Sequence, residues 1–169
     1  MKKIYLAGFD VFRPDALEYG KFLKNACREH GFEGLFPLDN AAPRDLAGAD
    51  LAHWIYRANI GLIQQAHAVM ANLNPFRGAE PDSGTVFEVG YAVALNKPVW
   101  VYTAQAGSLV QQVALNPASP VRDFTDAQGY TVEDFGMNLN LMIACSTRVV
   151  VGTAHDCLRQ MRDLPAFTS

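Results

Sequence analysis

Short apolar runs alternate with segments of helical periodicity along most of the chain, and this alternation constrains the fold more than any single motif does. Strands covered on both faces read as nearly unbroken apolar runs bounded by turn residues. Residues 4–8, 66–73 and 99–103 fit that description, and residues 32–36 and 148–151 read as a second and a short last strand. Between them, residues 15–30 repeat apolar side chains at Leu17, Phe22, Leu23, Ala26 and Cys27 and stop at Gly31. Residues 50–65 do the same at Leu51, Trp54, Ile55, Ala58 and Leu62, and residues 85–95 and 137–146 add two more helices. Thr153 is placed to cap a closing helix over residues 155–164. The order βαβαβαβαβα predicts one α/β domain over residues 1–169. Its architecture is a flavodoxin-like, doubly wound, five-stranded parallel sheet in the order 2-1-3-4-5 with right-handed crossovers. That order makes strands one and three neighbours, so the loops after Gly8 and Leu73 meet at the switch point, where such sheets bind ligands. Residues 9–14 and 37–48 read as loops, and residues 104–136 as a long irregular excursion with Gly107, Pro117, Pro120 and Gly129.

Composition narrows the partners. A net charge of -3 and a pI near 5.7 give no basic footprint for nucleic acid. Cys27, Cys145 and Cys157 are odd in number and lack metal-ligand spacing, so reduced thiols are expected. His30, His53, His67 and His155 are scattered and read as structural or surface residues. No apolar run is long enough to span a bilayer, and the start MKKIYLAGFDVF lacks a signal peptide's apolar core. The expectation is a cytoplasmic protein without membrane contact. Neither a P-loop nor a GxGxxG follows the first strand, so no nucleotide cofactor is expected, and no metal.

The chemistry concentrates in NLNPFRGAEPDSGTVFEVGY, from Asn72 to Tyr91, which reads as a strand end, a loop and the first turns of a helix. Glu88 has two readings. Thr85-Val86-Phe87-Glu88 matches a capping box, in which the glutamate satisfies a backbone N–H. Alternatively, a carboxylate kept ionised in the first helical turn can attack an electrophilic sugar carbon. Asp82, just before Ser83-Gly84-Thr85, is a turn or cap residue, or a partner carboxylate that receives a sugar hydroxyl proton or helps protonate a leaving base. Tyr5 is a core tyrosine, or, with its hydroxyl aimed at Glu88, the group that orients that carboxylate. Phe9 and Phe12 are core residues or a stacking surface for a base. Asn59 is suited to reading base edges, Asn72 to tying down loop backbone, and Arg77 to a phosphate or a loop-fastening salt bridge.

Taken in order, Tyr5-Leu6-Ala7-Gly8 with Phe12, Pro37-Leu38-Asp39-Asn40, ANLNPFRG from Ala71, PDSGT from Pro81, FEVGYA from Phe87 and Asn140-Leu141-Met142 resemble the nucleoside 2-deoxyribosyltransferase family. The resemblance implies a flavodoxin-like enzyme that exchanges the base of a 2'-deoxyribonucleoside for another free nucleobase, without a cofactor. By position, Glu88 is then the nucleophile at C1', Tyr5 its hydrogen-bonding partner, and Asp82 the carboxylate near the sugar hydroxyls and leaving base. Phe12 walls the base pocket, Asn59 contacts the base, and Gly8 belongs to the substrate-binding set. Asn140 and the Met142 backbone reach the sugar's 5' end from a neighbouring subunit, which implies a homo-oligomer with shared active sites. The excursion between Glu88 and Asn140 is longer than in compact members. Two rival readings keep the fold and change the function: an N-glycosidase of 2'-deoxynucleoside 5'-monophosphates, and a non-catalytic nucleotide-binding domain in which Glu88 is only a helix cap.

Overall fold

The computed structural model describes residues 1–117 and 124–163. Five parallel strands form one sheet in the order β2-β1-β3-β4-β5, as the alternation predicts. They are β1 (Lys2–Gly8), β2 (Phe32–Leu35), β3 (Ala68–Asn72), β4 (Val99–Thr103) and β5 (Arg148–Val151). The long helices are α1 (Ala16–Glu29), α2 (Gly48–Gln65) and α3 (Ser83–Ala94). The excursion carries a short α4 (Leu109–Gln112), and α5 (Leu141–Ser146) and α6 (Ala154–Arg162) follow it. Among the described residues no helix is long and apolar enough to cross a membrane.

Period-two alternation along each strand splits the core into two layers. Ile4, Leu6, Met70, Trp100, Tyr102 and Val150 face one way and pack against Leu23, Ala26 and Cys27 of α1 and Cys157, Leu158 and Met161 of α6. Tyr5, Ala7, Val69, Ala71, Val99 and Val101 face the other way, against Leu62 and Ile63 of α2, Val89 and Ala92 of α3, and Ile143 of α5. Right-handed crossovers require the covering face to change when the direction of strand addition reverses, and here it reverses between β1 and β3. Burial pushes the thiol of Cys27 up to about 12, so this core cysteine stays protonated.

Element ends depart from the pattern-based expectations where side chains decide them. α3 begins at Ser83, not Thr85, because Asp82 caps it. α5 begins at Leu141, four residues later than periodicity suggests, because Asn140 caps it and accepts the Met142 N–H at 3.0 Å. The loops expected after β1 and β2 each contain a 3-10 turn, Phe9–Phe12 and Pro37–Asp39. Thr153 caps α6, accepting the Asp156 N–H. The predicted end of that helix at Leu164, and Pro120 in the excursion, lie outside the described residues.

Candidate active site

The carboxyl ends of β1 and β3 lie side by side, with Gly8 paired to Asn72. Asn72 ties the two loops together. Its Nδ2 donates to Asp10 Oδ2 at 2.9 Å, and its Oδ1 accepts from the backbone and side-chain nitrogens of Asn74. Asp10 is buried, and burial raises its carboxyl against the lowering effect of Asn72 and Arg13. A Cβ at Gly8 would sit 2.8 Å from Asp10 Oδ2 and 2.9 Å from Asn72 Cβ, so glycine is required there by close approach. Phe76, from the loop after β3, stacks between Phe9 at 4.9 Å and Phe12 at 5.4 Å. Phe12 is exposed over about half its surface. The Arg77 guanidinium lies over the rings of Phe76 and Phe12, a cation–π contact, and among the described residues it makes no salt bridge.

Beneath this surface the Tyr5 hydroxyl donates to Glu88 Oε1 at 2.6 Å. Tyr5 is fully buried on the α2–α3 side of β1, and Glu88 faces it from α3. Asn59 of α2 completes the group, with Nδ2 at 3.5 Å from the same Oε1. That distance is at the weak limit of a hydrogen bond. The Asn59 Oδ1 is buried and meets no donor among the described residues.

Two expectations about Glu88 are corrected. Glu88 is the sixth residue of α3, beyond the first turn, and it makes no capping box with Thr85. Asp82 caps the helix instead. Its Oδ2 accepts the Thr85 N–H and the Thr85 hydroxyl, each at 2.8 Å. The cap reading of Asp82 therefore holds, and the cap reading of Glu88 falls. Nor is Glu88 held firmly ionised by the helix end, whose field fades within a turn. Burial dominates and pushes its carboxyl up to about 7. The Tyr5 hydrogen bond opposes that rise, the charge of Asp82 adds to it, and Asn59 opposes it weakly. Tyr5 itself is raised strongly, first by burial and then by the Glu88 charge, so it remains a donor.

Tyr5, Glu88 and Asn59 are thus joined directly, Asp82 acts on Glu88 through its charge, and Gly8 and Phe12 belong to the loop above. Asn140 and Met142 are not joined to them within one chain. They line a separate groove of about 590 Å³ with Ser83 and Val86 of α3 and Val132 and Glu133 of the excursion. Two residues escaped the sequence reading. Asp10 is signalled only by a charge directly after a buried strand. Glu133, which accepts from Asn140 Nδ2 at 2.6 Å, carries no local signal at all. Among the described residues no group of three or more His, Cys, Asp or Glu side chains is arranged to hold a metal ion.

A doubly wound α/β domain with a carboxylate hydrogen-bonded to a buried tyrosine near its switch point is the class that this fold and site define. Comparison with known proteins narrows it. Residues 4–142 match the nucleoside 2-deoxyribosyltransferase family. A 2-deoxyribosyltransferase from Leishmania mexicana superposes with a TM-score of 0.77 at 30% identity, covering 98% of this chain and 99% of that one. A 2-deoxyribosyltransferase from Bacillus psychrosaccharolyticus shares the fold at 18% identity, with a TM-score of 0.60 over 96% of this chain and 91% of its own. An uncharacterised protein of Schizosaccharomyces pombe is 34% identical over 113 residues, 65% of this chain. The chain spans about half of that relative's length, 54%. The chain belongs to the nucleoside 2-deoxyribosyltransferase family.

Proposed function

We propose that this protein transfers the 2-deoxyribosyl group of a 2'-deoxyribonucleoside from one nucleobase to another through a covalent ester on Glu88. The observation that carries the reading is the 2.6 Å hydrogen bond from the buried Tyr5 to a half-buried Glu88 near the sheet's switch point. The pair fixes one carboxylate oxygen and leaves the other to attack. A carboxyl near 7 is ionised in a large fraction of molecules at neutral pH and is a better nucleophile than an ordinary carboxylate.

In the first step Glu88 bonds to C1' through an oxocarbenium-like transition state. The C1'–N bond breaks, its electron pair leaves with the base, and a proton reaches the base from water or by way of Asp82. In the second step a nitrogen of the incoming base attacks C1', the ester C–O bond breaks, the carboxylate is restored, and the acceptor gives up its proton. Two inversions give net retention, and the kinetics are ping-pong. Asp82 Oδ2 is occupied by Thr85, so Oδ1 is the oxygen offered to a sugar hydroxyl or the leaving base. The unpartnered Asn59 Oδ1 suits an N–H of a base. Phe12, exposed over about half its surface, is the ring offered to a base, and Gly8 keeps the loop close enough to reach the substrate. Asn140 and the Met142 backbone serve the sugar's 5' end in a neighbouring subunit's pocket, which makes the working form a homo-oligomer. A carboxylate beside Asn140, that of Glu133, disfavours a 5'-phosphate and so favours nucleosides over monophosphates.

The test is chromatography of deoxyinosine or deoxyuridine incubated with free adenine. A new deoxyadenosine peak is expected, lost in Glu88→Ala. Base release from the 5'-monophosphate alone would replace transfer with hydrolysis. A mechanism-based 2-fluoro donor should leave a mass adduct on Glu88. Absence of any adduct during demonstrated turnover would remove the covalent mechanism.

A further inference from the structure

We infer that Glu133 is a positioning residue for the sugar's 5' end, holding Asn140 in one orientation; this rests on the transferase reading above. The Glu133 carboxylate accepts twice at the start of α5: Oε1 from Asn140 Nδ2 at 2.6 Å, and Oε2 from the Leu141 N–H at 3.0 Å. A carboxylate only accepts, so it pins the amide nitrogen of Asn140 on its own side. The amide oxygen is then left facing the Met142 N–H, which it accepts at 3.0 Å. Without Glu133 only the Met142 N–H holds the amide, and its nitrogen side loses its fixed partner. With it, Asn140 presents one remaining N–H and one remaining oxygen lone pair in fixed directions, the pattern that a hydroxyl, at once donor and acceptor, complements.

Glu133 is itself delivered by the excursion. Isolated antiparallel bridges join Leu115 to Asp126 and Thr125 to Thr131. Asp126 Oδ1 accepts the N–H groups of Gln128 and Tyr130 and closes that turn. The stretch leading to Asn140 is anchored from the other side. Leu109 N–H donates to Met137 O at 2.9 Å, and Gln112 Nε2 donates to Asn138 O at 2.9 Å. The long segment between β4 and α5 thereby acquires a task, to clamp the residue that meets the 5' hydroxyl from two directions.

Steady-state exchange with two donors tests this: 2'-deoxyadenosine and 2',5'-dideoxyadenosine, which lacks the 5' hydroxyl. Glu133→Ala is expected to raise KM about tenfold for 2'-deoxyadenosine, the scale of one charge-assisted contact. KM for the dideoxy donor should stay at the parent's value, and kcat for that donor should not change. Glu133→Gln, which keeps one acceptor, should recover part of the loss. Asn140→Ala should match Glu133→Ala, and the double variant should be no worse than either. Equal losses on both donors would mean a merely structural role and overturn the proposal, as would additive losses in the double variant. If Glu133→Ala does not fold, the Gln variant and the Asn140→Ala comparison decide the matter. A parent that exchanges neither donor overturns the transferase reading and this inference with it, whereas an active parent with an indifferent Glu133 overturns only the inference.

Discussion

At the scale of single residues, Glu88 links activity to stability through one proton. Its carboxyl is raised from 4.5 to about 7, so the sign of both effects is fixed. Below 4.5 the folded and unfolded chains both carry the proton. Between 4.5 and 7 the unfolded chain releases it and the folded chain does not, so stability falls as pH rises, and the penalty is complete above 7. It is on the order of 3 kcal/mol for this largely buried group. Glu88→Gln should therefore unfold at higher denaturant than the parent at pH 8 and near the parent's value at pH 4. Equal offsets at both pH values would refute the raised carboxyl. Exchange, in contrast, needs the ionised form, so kcat/KM should climb through an acid limb near 7. Tyr5 and Asp82 push that limb in opposite directions. Tyr5→Phe removes a donor that favours the charged form, and the limb should move up by roughly one to two pH units, as expected for a hydrogen bond to a charge worth about 1.5–3 kcal/mol. Asp82→Asn keeps a cap acceptor for Thr85 but removes the repelling charge, so the limb should move down with little loss of stability. Shifts of the same sign in the two variants would contradict this arrangement.

At the scale of elements, the switch-point loops depend on a backbone approach that only glycine allows. Gly8→Ala places a methyl 2.8 Å from Asp10 Oδ2 and 2.9 Å from Asn72 Cβ, and neither can retreat without breaking their mutual hydrogen bond. The expected cost is about 1–3 kcal/mol in equilibrium unfolding, with a larger fractional loss of exchange because Phe12 shifts with the loop. A variant as stable as the parent would show that the loop yields freely. The central strands were legible because burial on both faces leaves an unbroken apolar run, and the bounds of β4, buried throughout, coincide with its run. Helix starts were less legible. Asp82, Thr85 and Glu88 are spaced by threes, so either Asp82–Thr85 or Thr85–Glu88 satisfies the cap pattern. The chain takes the earlier pair, in which one charged oxygen receives both an N–H and a hydroxyl. The charge state of Glu88 was not legible at all, because burial is a tertiary quantity that outweighs helix position. Glu133 was hidden for a similar reason. It meets Asn140 from seven residues away along irregular chain, where no periodicity signals the contact.

At the scale of the whole molecule, the two parts of the proposed pocket do not meet within one chain. Tyr5, Asn59 and Glu88 form one group, while Asn140 and Met142 open onto another groove, with Met142 71% exposed. A second apolar surface lies on the outer sides of α2 and α3, where Ile55, Tyr56 and Phe87 are each about half exposed and Phe87 stacks on Tyr91. Large side chains left half exposed on adjacent helices are what an isologous contact between copies would cover. If Asn140 serves a neighbour's sugar site, an inactive variant and a weakly binding one must complement each other when exchange is read well below KM. Glu88→Ala supplies a good Asn140 and no nucleophile, and Asn140→Ala supplies the reverse. After equal mixing and subunit exchange, half the pockets retain Glu88, and half of those face an intact Asn140, so about a quarter of parental exchange should return. The same count holds for any closed ring or dimer in which each pocket draws on two subunits. Recovery near a quarter, growing with the time course of subunit exchange measured by mass spectrometry, would establish shared sites. Proven subunit exchange with activity no greater than the sum of the separate variants would mean that each chain completes its own pocket, and Asn140 would then need a different role.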